Sequence, residues 1–198
     1  DGFIIYAIFF FFSFIPMAYE WYHLIRKLKV FEFRFKYGPK IIMPKWLKIV
    51  LLIISVLGMF ITPYFPNELF FLLWVAPVVV LSLILSLMDI WTPFTPIKNT
   101  GDWTYLLVFA LTFLIQGFLL EWWNYLSATK MGDGTIISFN ACYWQYCVPF
   151  VSKYHIFEMP FFGYLGYLLF SIHCSVWWIL FSHLTGFLTN FSLNKDFK

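Results

Sequence analysis

The side chains able to move protons, bind a metal or present aromatic rings to a ligand fall into a few short groups. Glu121 and Asn124 are three residues apart and share a face if the segment is helical, with Trp122 beside them. His155 and Glu158 repeat that spacing, and Glu158, just before Met159-Pro160, stands where a helix N-terminus favours an anion. Trp144 and Tyr146 lie between the two groups. Glu121, His155 and Glu158 together offer a carboxylate and histidine metal site or a proton-handling pair; capping and interfacial hydrogen bonds are the ordinary roles of such residues. Deeper in an apolar run stands His173, about 20 Å from Pro160 at helical rise. Gly163, Gly166, Phe170, His173 and Trp177 form one stripe that joins small residues for close helix approach to an imidazole and an aromatic ring. His173 is expected as a neutral hydrogen-bonding histidine between helices, with haem or metal ligation and a proton relay as alternatives. As a lone histidine it would need a second haem ligand from a partner subunit.

Glu20, His23, Asp89 and His183 are expected at one depth near the opposite end of the spans, where polar groups are common and mostly structural. Cys142 and Cys147 are placed for a disulfide if their loop faces an oxidising compartment, and Cys174 reads as a small apolar residue. No Gly-rich phosphate loop, Cys-x-x-Cys pair, Gly-x-Ser-x-Gly elbow or His-Glu-x-x-His helix occurs.

What positions these residues is dictated by composition. Of 198 residues 62% are hydrophobic and 12% charged, and the mean hydropathy is +0.79. A soluble domain carries about 25% charged residues, so lipid must cover this surface. With 27 Phe, 12 Tyr, 10 Trp and a net charge of +3, the chain is neither disordered, nor collagen-like, nor a nucleic-acid binder.

A helix needs about 20 apolar residues to cross a bilayer. The charge-free runs predict an all-α, polytopic bundle in one domain, 1–198, with about five spans near 2–22, 47–65, 68–89, 103–125 and 161–184. A basic loop, 24–48, and an aromatic outer loop, 126–158, complete it; within the latter, 134–152 reads as interfacial or re-entrant. The basic loop holds Arg26, Lys27, Lys29, Arg34, Lys36, Lys40, Lys45 and Lys48 of the thirteen Lys and Arg. Positive residues are retained in the cytoplasm, which predicts the N-terminus outside and the C-terminus inside. Interleaved with Val30, Phe31, Phe33, Phe35 and Tyr37, these cations are expected to lie on the anionic inner leaflet. The first residue is Asp1, so the chain is expected to be processed or incomplete at that end.

The segment with Glu121-Trp122-Trp123-Asn124, Trp144-x-Tyr146, Phe157-Glu158-Met159-Pro160 and Gly163-Tyr164-Leu165-Gly166-Tyr167 resembles a group of functionally uncharacterised bacterial multi-span proteins. That resemblance implies a bacterial inner or internal membrane. More distantly, an aromatic loop followed by a carboxylate and proline is similar to the small integral-membrane lycopene cyclases, which close polyene ends by acid catalysis. Their motif has proline followed by paired acids, whereas this chain has one acid before the proline, so a second carboxylate would come from Glu121.

The aromatic surplus beside sparse catalytic chemistry predicts a non-catalytic accessory or anchoring subunit of a larger membrane complex, packing lipid, quinone or carotenoid. Its binding residues would be Trp122, Asn124, Trp144, Tyr146, His173 and Trp177. The alternatives are an enzyme on an isoprenoid or polyene with Glu121 or Glu158 as acid, and a metal or haem protein using His155, Glu158 or His173.

Overall fold

In the computed structural model, which describes residues 2–140, 143–146 and 153–187, the chain is 64% helix with little sheet. Its helices are α1 (Gly2–Arg26), α2 (Lys29–Phe33), α3 (Lys45–Ile61), α4 (Leu72–Leu87), α5 (Thr95–Asn99), α6 (Thr104–Leu126) and α7 (Leu165–Thr185). With adjoining 3-10 turns, Lys45–Tyr64, Thr104–Leu126 and Phe161–Thr185 are each long and apolar enough to cross a membrane, and Leu72–Leu87 is a shorter apolar helix.

Local chemistry sets the helix ends. Past α3 the Thr62 hydroxyl donates to the Gly58 carbonyl, 2.8 Å away, and Pro63 and Pro66 cannot continue the ladder. After α4, Asp89 adopts φ +54° and Pro93 follows. The Ser127 hydroxyl caps α6 by donating to the Asn124 carbonyl at 2.7 Å. Gly186, at φ +75°, ends α7 in the left-handed conformation that glycine adopts without steric cost.

α1 and α7 each run antiparallel to α6, and α3 antiparallel to α4. Phe14 and Tyr22 of α1 meet Phe113 and Phe109 of α6. Along α6, Phe113 meets Phe170 of α7, and the Tyr105 hydroxyl lies 3.1 Å from the Ser175 hydroxyl. In the α3/α4 hairpin, Gly58 faces Leu72 while the Lys48 ammonium donates to Ser86 at 2.7 Å. The last turn of α4 joins the same end of the bundle, with Leu85 buried against Val176 and Ile179 and Trp91 edge-on to Tyr105 at 5.1 Å. These pairings gather the end of α1 and the starts of α3 and α6 at one end, and with them the basic loop. That loop is tied down by backbone bonds from Gly38 to Gly101 (2.8 Å) and Trp103 to Phe35 (2.9 Å), and by the Trp103 indole donating to the Pro39 carbonyl (3.0 Å).

Because lipid tails are as apolar as the helices, association depends on close packing and interhelical hydrogen bonds. Phe14, Phe113 and Phe170 form a three-ring cluster across α1, α6 and α7, with centroids 5.6, 5.7 and 6.0 Å apart, and each such contact adds about 0.5–1.5 kcal/mol beyond area burial. The Gln116 amide donates to the Phe14 carbonyl at 2.8 Å. On α7 the close-packing face is Ser171, Ser175 and Ser182, all buried, in place of the expected glycine stripe. Gly166 meets open space and Gly163 lies against Met159 of its own segment. The glycine that admits a neighbour is Gly117, on which the Tyr167 ring rests.

In the 126–158 loop, Ala128–Lys130 (β1) pairs antiparallel with Ile136–Phe139 (β2). The Gly132-Asp133-Gly134 turn between Thr129 and Ile136 carries the hairpin signal that hydropathy alone passes over. His155–Ile156 (β3) pairs with Met159–Pro160 (β4), so His155-x-x-Glu158 is a two-residue hairpin and no helix. Cys142 and Cys147 lie outside the described residues; Cys174 is a free, half-buried thiol.

A Cβ on Gly117 would stand 2.5–2.6 Å from three Tyr167 ring atoms. Gly117→Val is therefore expected to destabilise the detergent-purified protein by about 1–3 kcal/mol, whereas Gly166→Ala does not, as read by thermal unfolding.

Candidate functional site

Glu121 is the best-buried acid among the described residues, at 0% exposure on the α7-facing side of α6. Its Oε1 accepts from the Tyr167 hydroxyl at 2.6 Å and from the Tyr146 hydroxyl in a short contact. Gly117, one turn earlier on α6, makes room for the Tyr167 ring, so α7 supplies one phenol and the 126–158 loop the other. Asn124, also fully buried, fixes the loop by a reciprocal pair: its amide donates to the Trp144 carbonyl at 2.8 Å, and the Trp144 N–H donates to its Oδ1 at 2.9 Å. The Trp144 indole then donates to the Tyr146 hydroxyl at 2.7 Å. Burial holds the Tyr146 phenol well above the usual tyrosine range, and the adjoining Glu121 carboxylate adds to this, so Tyr146 keeps its proton as a donor. Glu121 Oε2 is buried without a hydrogen-bond partner among the described residues.

A separate polar cluster lies in the same loop. Lys130, at the end of β1, forms an ion pair with Glu158, and its ammonium lies 4.2 Å above the Tyr125 ring and 5.7 Å from that of Tyr143. Partial burial pulls Lys130 below the usual lysine range; the Glu158 carboxylate and two ring faces oppose this by attracting the cation. Glu158 is aimed by the β3/β4 turn, where Phe157 takes φ +58°. A bulky residue held there costs about 1–3 kcal/mol, offset by packing of its ring against Phe118 (5.2 Å) and Tyr125 (5.7 Å).

The expected site residues thus separate. Glu121, Asn124, Trp144 and Tyr146 meet; Tyr167 joins them unforeseen, though it is one turn from the buried Ser171 and shares its helix face. Trp122 points away and is exposed. His155 is exposed on β3 and Glu158 is taken up by Lys130, so they do not join Glu121, and among the described residues no group of three His, Cys, Asp or Glu side chains is placed to hold a metal. Among the described residues, the hydrogen bond His173 makes lies within its own helix. Its Nε2 accepts from the indole of Trp177 on the same helix at 2.5 Å, and Trp177 is 52% exposed. At the basic end Glu20, Asp89 and His183 are exposed, while the His23 ring packs on Tyr19 at 4.2 Å.

Comparison with protein-family models, with curated proteins and with solved structures returned no match. The chemistry of the site therefore rests on its geometry: one buried acid, two phenol donors on one oxygen, and a second oxygen open to a proton or to a donor from a bound molecule.

Two substitution sets check this network. Glu121→Leu strands the Tyr146 and Tyr167 hydroxyls and is expected to cost about 1–3 kcal/mol and to expose the 143–146 segment to limited proteolysis, whereas Glu121→Gln keeps an acceptor and the protection. Lys130→Glu and Glu158→Lys are each expected to destabilise the protein, and their combination to recover about 0.5–3 kcal/mol in a double-mutant cycle of thermal unfolding.

Proposed function

We propose that this chain is a multi-span integral membrane protein with five crossings and its basic end in the cytoplasm, acting as an accessory or anchoring subunit of a larger membrane complex. The observation that carries the reading is α3. This 17-residue helix, strongly apolar between its N-terminal lysines and Thr62, contributes no buried residue. Trp46, Ile53, Ile54, Leu57 and Phe60 are exposed along it. Such a surface is untenable in water, and in a bilayer it meets lipid or another helix. Support for the orientation comes from the gathering of eight Lys and Arg, Arg26 to Lys48, at one end of the bundle. The accessory role is favoured because the Glu121 and Asn124 side chains bind Tyr167 of α7 and Tyr146 and Trp144 of the loop, which makes the network a clamp of loop on helices. Exposed Trp122, Trp123 and Trp177 remain available to lipid, quinone or carotenoid.

One observation favours a second reading: the unpartnered Oε2 of Glu121 beside a tyrosine-lined site suits acid catalysis on a polyene or other isoprenoid. That role falls to Glu121 alone, since Glu158 is engaged by Lys130. Under it, Glu121→Gln abolishes polyene turnover without loss of fold; under the first reading purified protein shows no turnover to lose.

A photo-reactive residue at Phe60, on the exposed side of α3, tests the accessory role in native membranes. Crosslinks to one discrete membrane protein are expected; crosslinks to lipid alone would leave the chain an independent membrane protein.

A further inference from the structure

Away from Glu121, at the basic end, a cavity of about 420 Å³ lies between α3, α4 and the α5 segment. That volume suits a small ligand or a lipid headgroup with the first part of its chain. Its inner wall is apolar, with Leu51 from α3 and Val78, Val79 and Leu83 from α4. Its polar side is cationic. Lys48 and Lys98 both line it, and Lys48 is held by its bond to Ser86. Ser82, 8% exposed, also lines it, and its hydroxyl is buried without a hydrogen-bond partner among the described residues. An unsatisfied buried hydroxyl is costly unless something bound completes it. Asp89 lines the same cavity, so two cations stand against one anion there; its carboxylate can accept from a headgroup hydroxyl.

We propose that this cavity binds a phosphate-bearing anionic amphiphile, a membrane phospholipid. Lys48 and Lys98 take its phosphate, the Ser82 hydroxyl completes its hydrogen bonding, and its chain lies along Leu51, Val79 and Leu83. Two lysines supply charge-assisted donors to phosphate, and the adjoining apolar wall distinguishes an amphiphile from a free phosphate. The basic loop, tied over α6 through Trp103, places Ile41 and Met43 over the same cavity. The inference rests on the membrane reading only in setting this end at the bilayer boundary. Loss of lipid binding would leave crosslinking from α3 unaffected, so the two fail separately.

Isothermal titration of the full chain in neutral detergent, with dioctanoyl phosphatidylglycerol, dioctanoyl phosphatidylcholine and inorganic phosphate as separate probes, tests the assignment. One phosphatidylglycerol per chain is expected, bound about tenfold or more tighter than either other probe. Lys48→Gln with Lys98→Gln is expected to weaken it about tenfold, while Lys27→Gln, at the same end, changes it less than about twofold. Ser82→Leu, which fills the wall, is expected to abolish binding with the unfolding temperature preserved; Val79→Phe narrows the same wall should that variant fail to fold. Phosphatidylcholine binding as tightly, or an unaffected double-lysine variant, would overturn the proposal. Inorganic phosphate binding as tightly as the lipid would overturn the amphiphile in favour of a soluble phosphate.

Discussion

A carboxyl group with no solvent contact inside an apolar helix must find its hydrogen bonds within the protein, and where Glu121 finds them decides how α6, α7 and the 126–158 loop meet. One phenol comes from α7 through Tyr167 and the other from the loop through Tyr146. The first requires the two helices to approach closely, which Gly117 permits by carrying no Cβ against the Tyr167 ring. The second requires the loop to fold back over the end of α6, which Asn124 enforces by its reciprocal pair with Trp144. The Lys130 and Glu158 ion pair, beside the strained turn at Phe157, joins the two hairpins of the loop.

The rest of the bundle shows the same economy of polar groups. Tyr105 meets Ser175, Gln116 reaches the Phe14 carbonyl, and Lys48 bonds Ser86, each joining a different pair of helices. Between these points the contacts are aromatic, and in lipid such packing must do what the hydrophobic effect does in water. The two ends differ in character. One is basic and contains the cavity lined by Lys48 and Lys98; the other is aromatic and holds the buried acid. α3, packed chiefly on α4 and without a buried residue, is the element least accounted for by the chain's own core.

Hydropathy located the helices well, because a run of apolar residues can satisfy its backbone in lipid only as helix. Of the expected spans, those near 47–65, 103–125 and 161–184 fall on the three helices long and apolar enough to cross a membrane; those near 2–22 and 68–89 fall on α1 and on α4, which is shorter because Leu69–Phe71 turn instead of continuing it. Glu121, Asn124, Trp144 and Tyr146 were legible as candidates by type and spacing. The outer hairpins were read less well, since their strands are only two to four residues long and their pairing is non-local.

By itself, then, the amino-acid sequence determined the apolar character, the helical segments and the segregation of positive charge, all of which depend on composition and local order along the chain. Only the tertiary structure decided partners. It joined Glu121 to Tyr146 and Tyr167, gave Glu158 to Lys130 instead of to His155, and turned His173 to Trp177 on its own helix. Those choices depend on which helix faces meet and on how closely, and Gly117 and the buried serines of α7 set that approach through the space they leave empty.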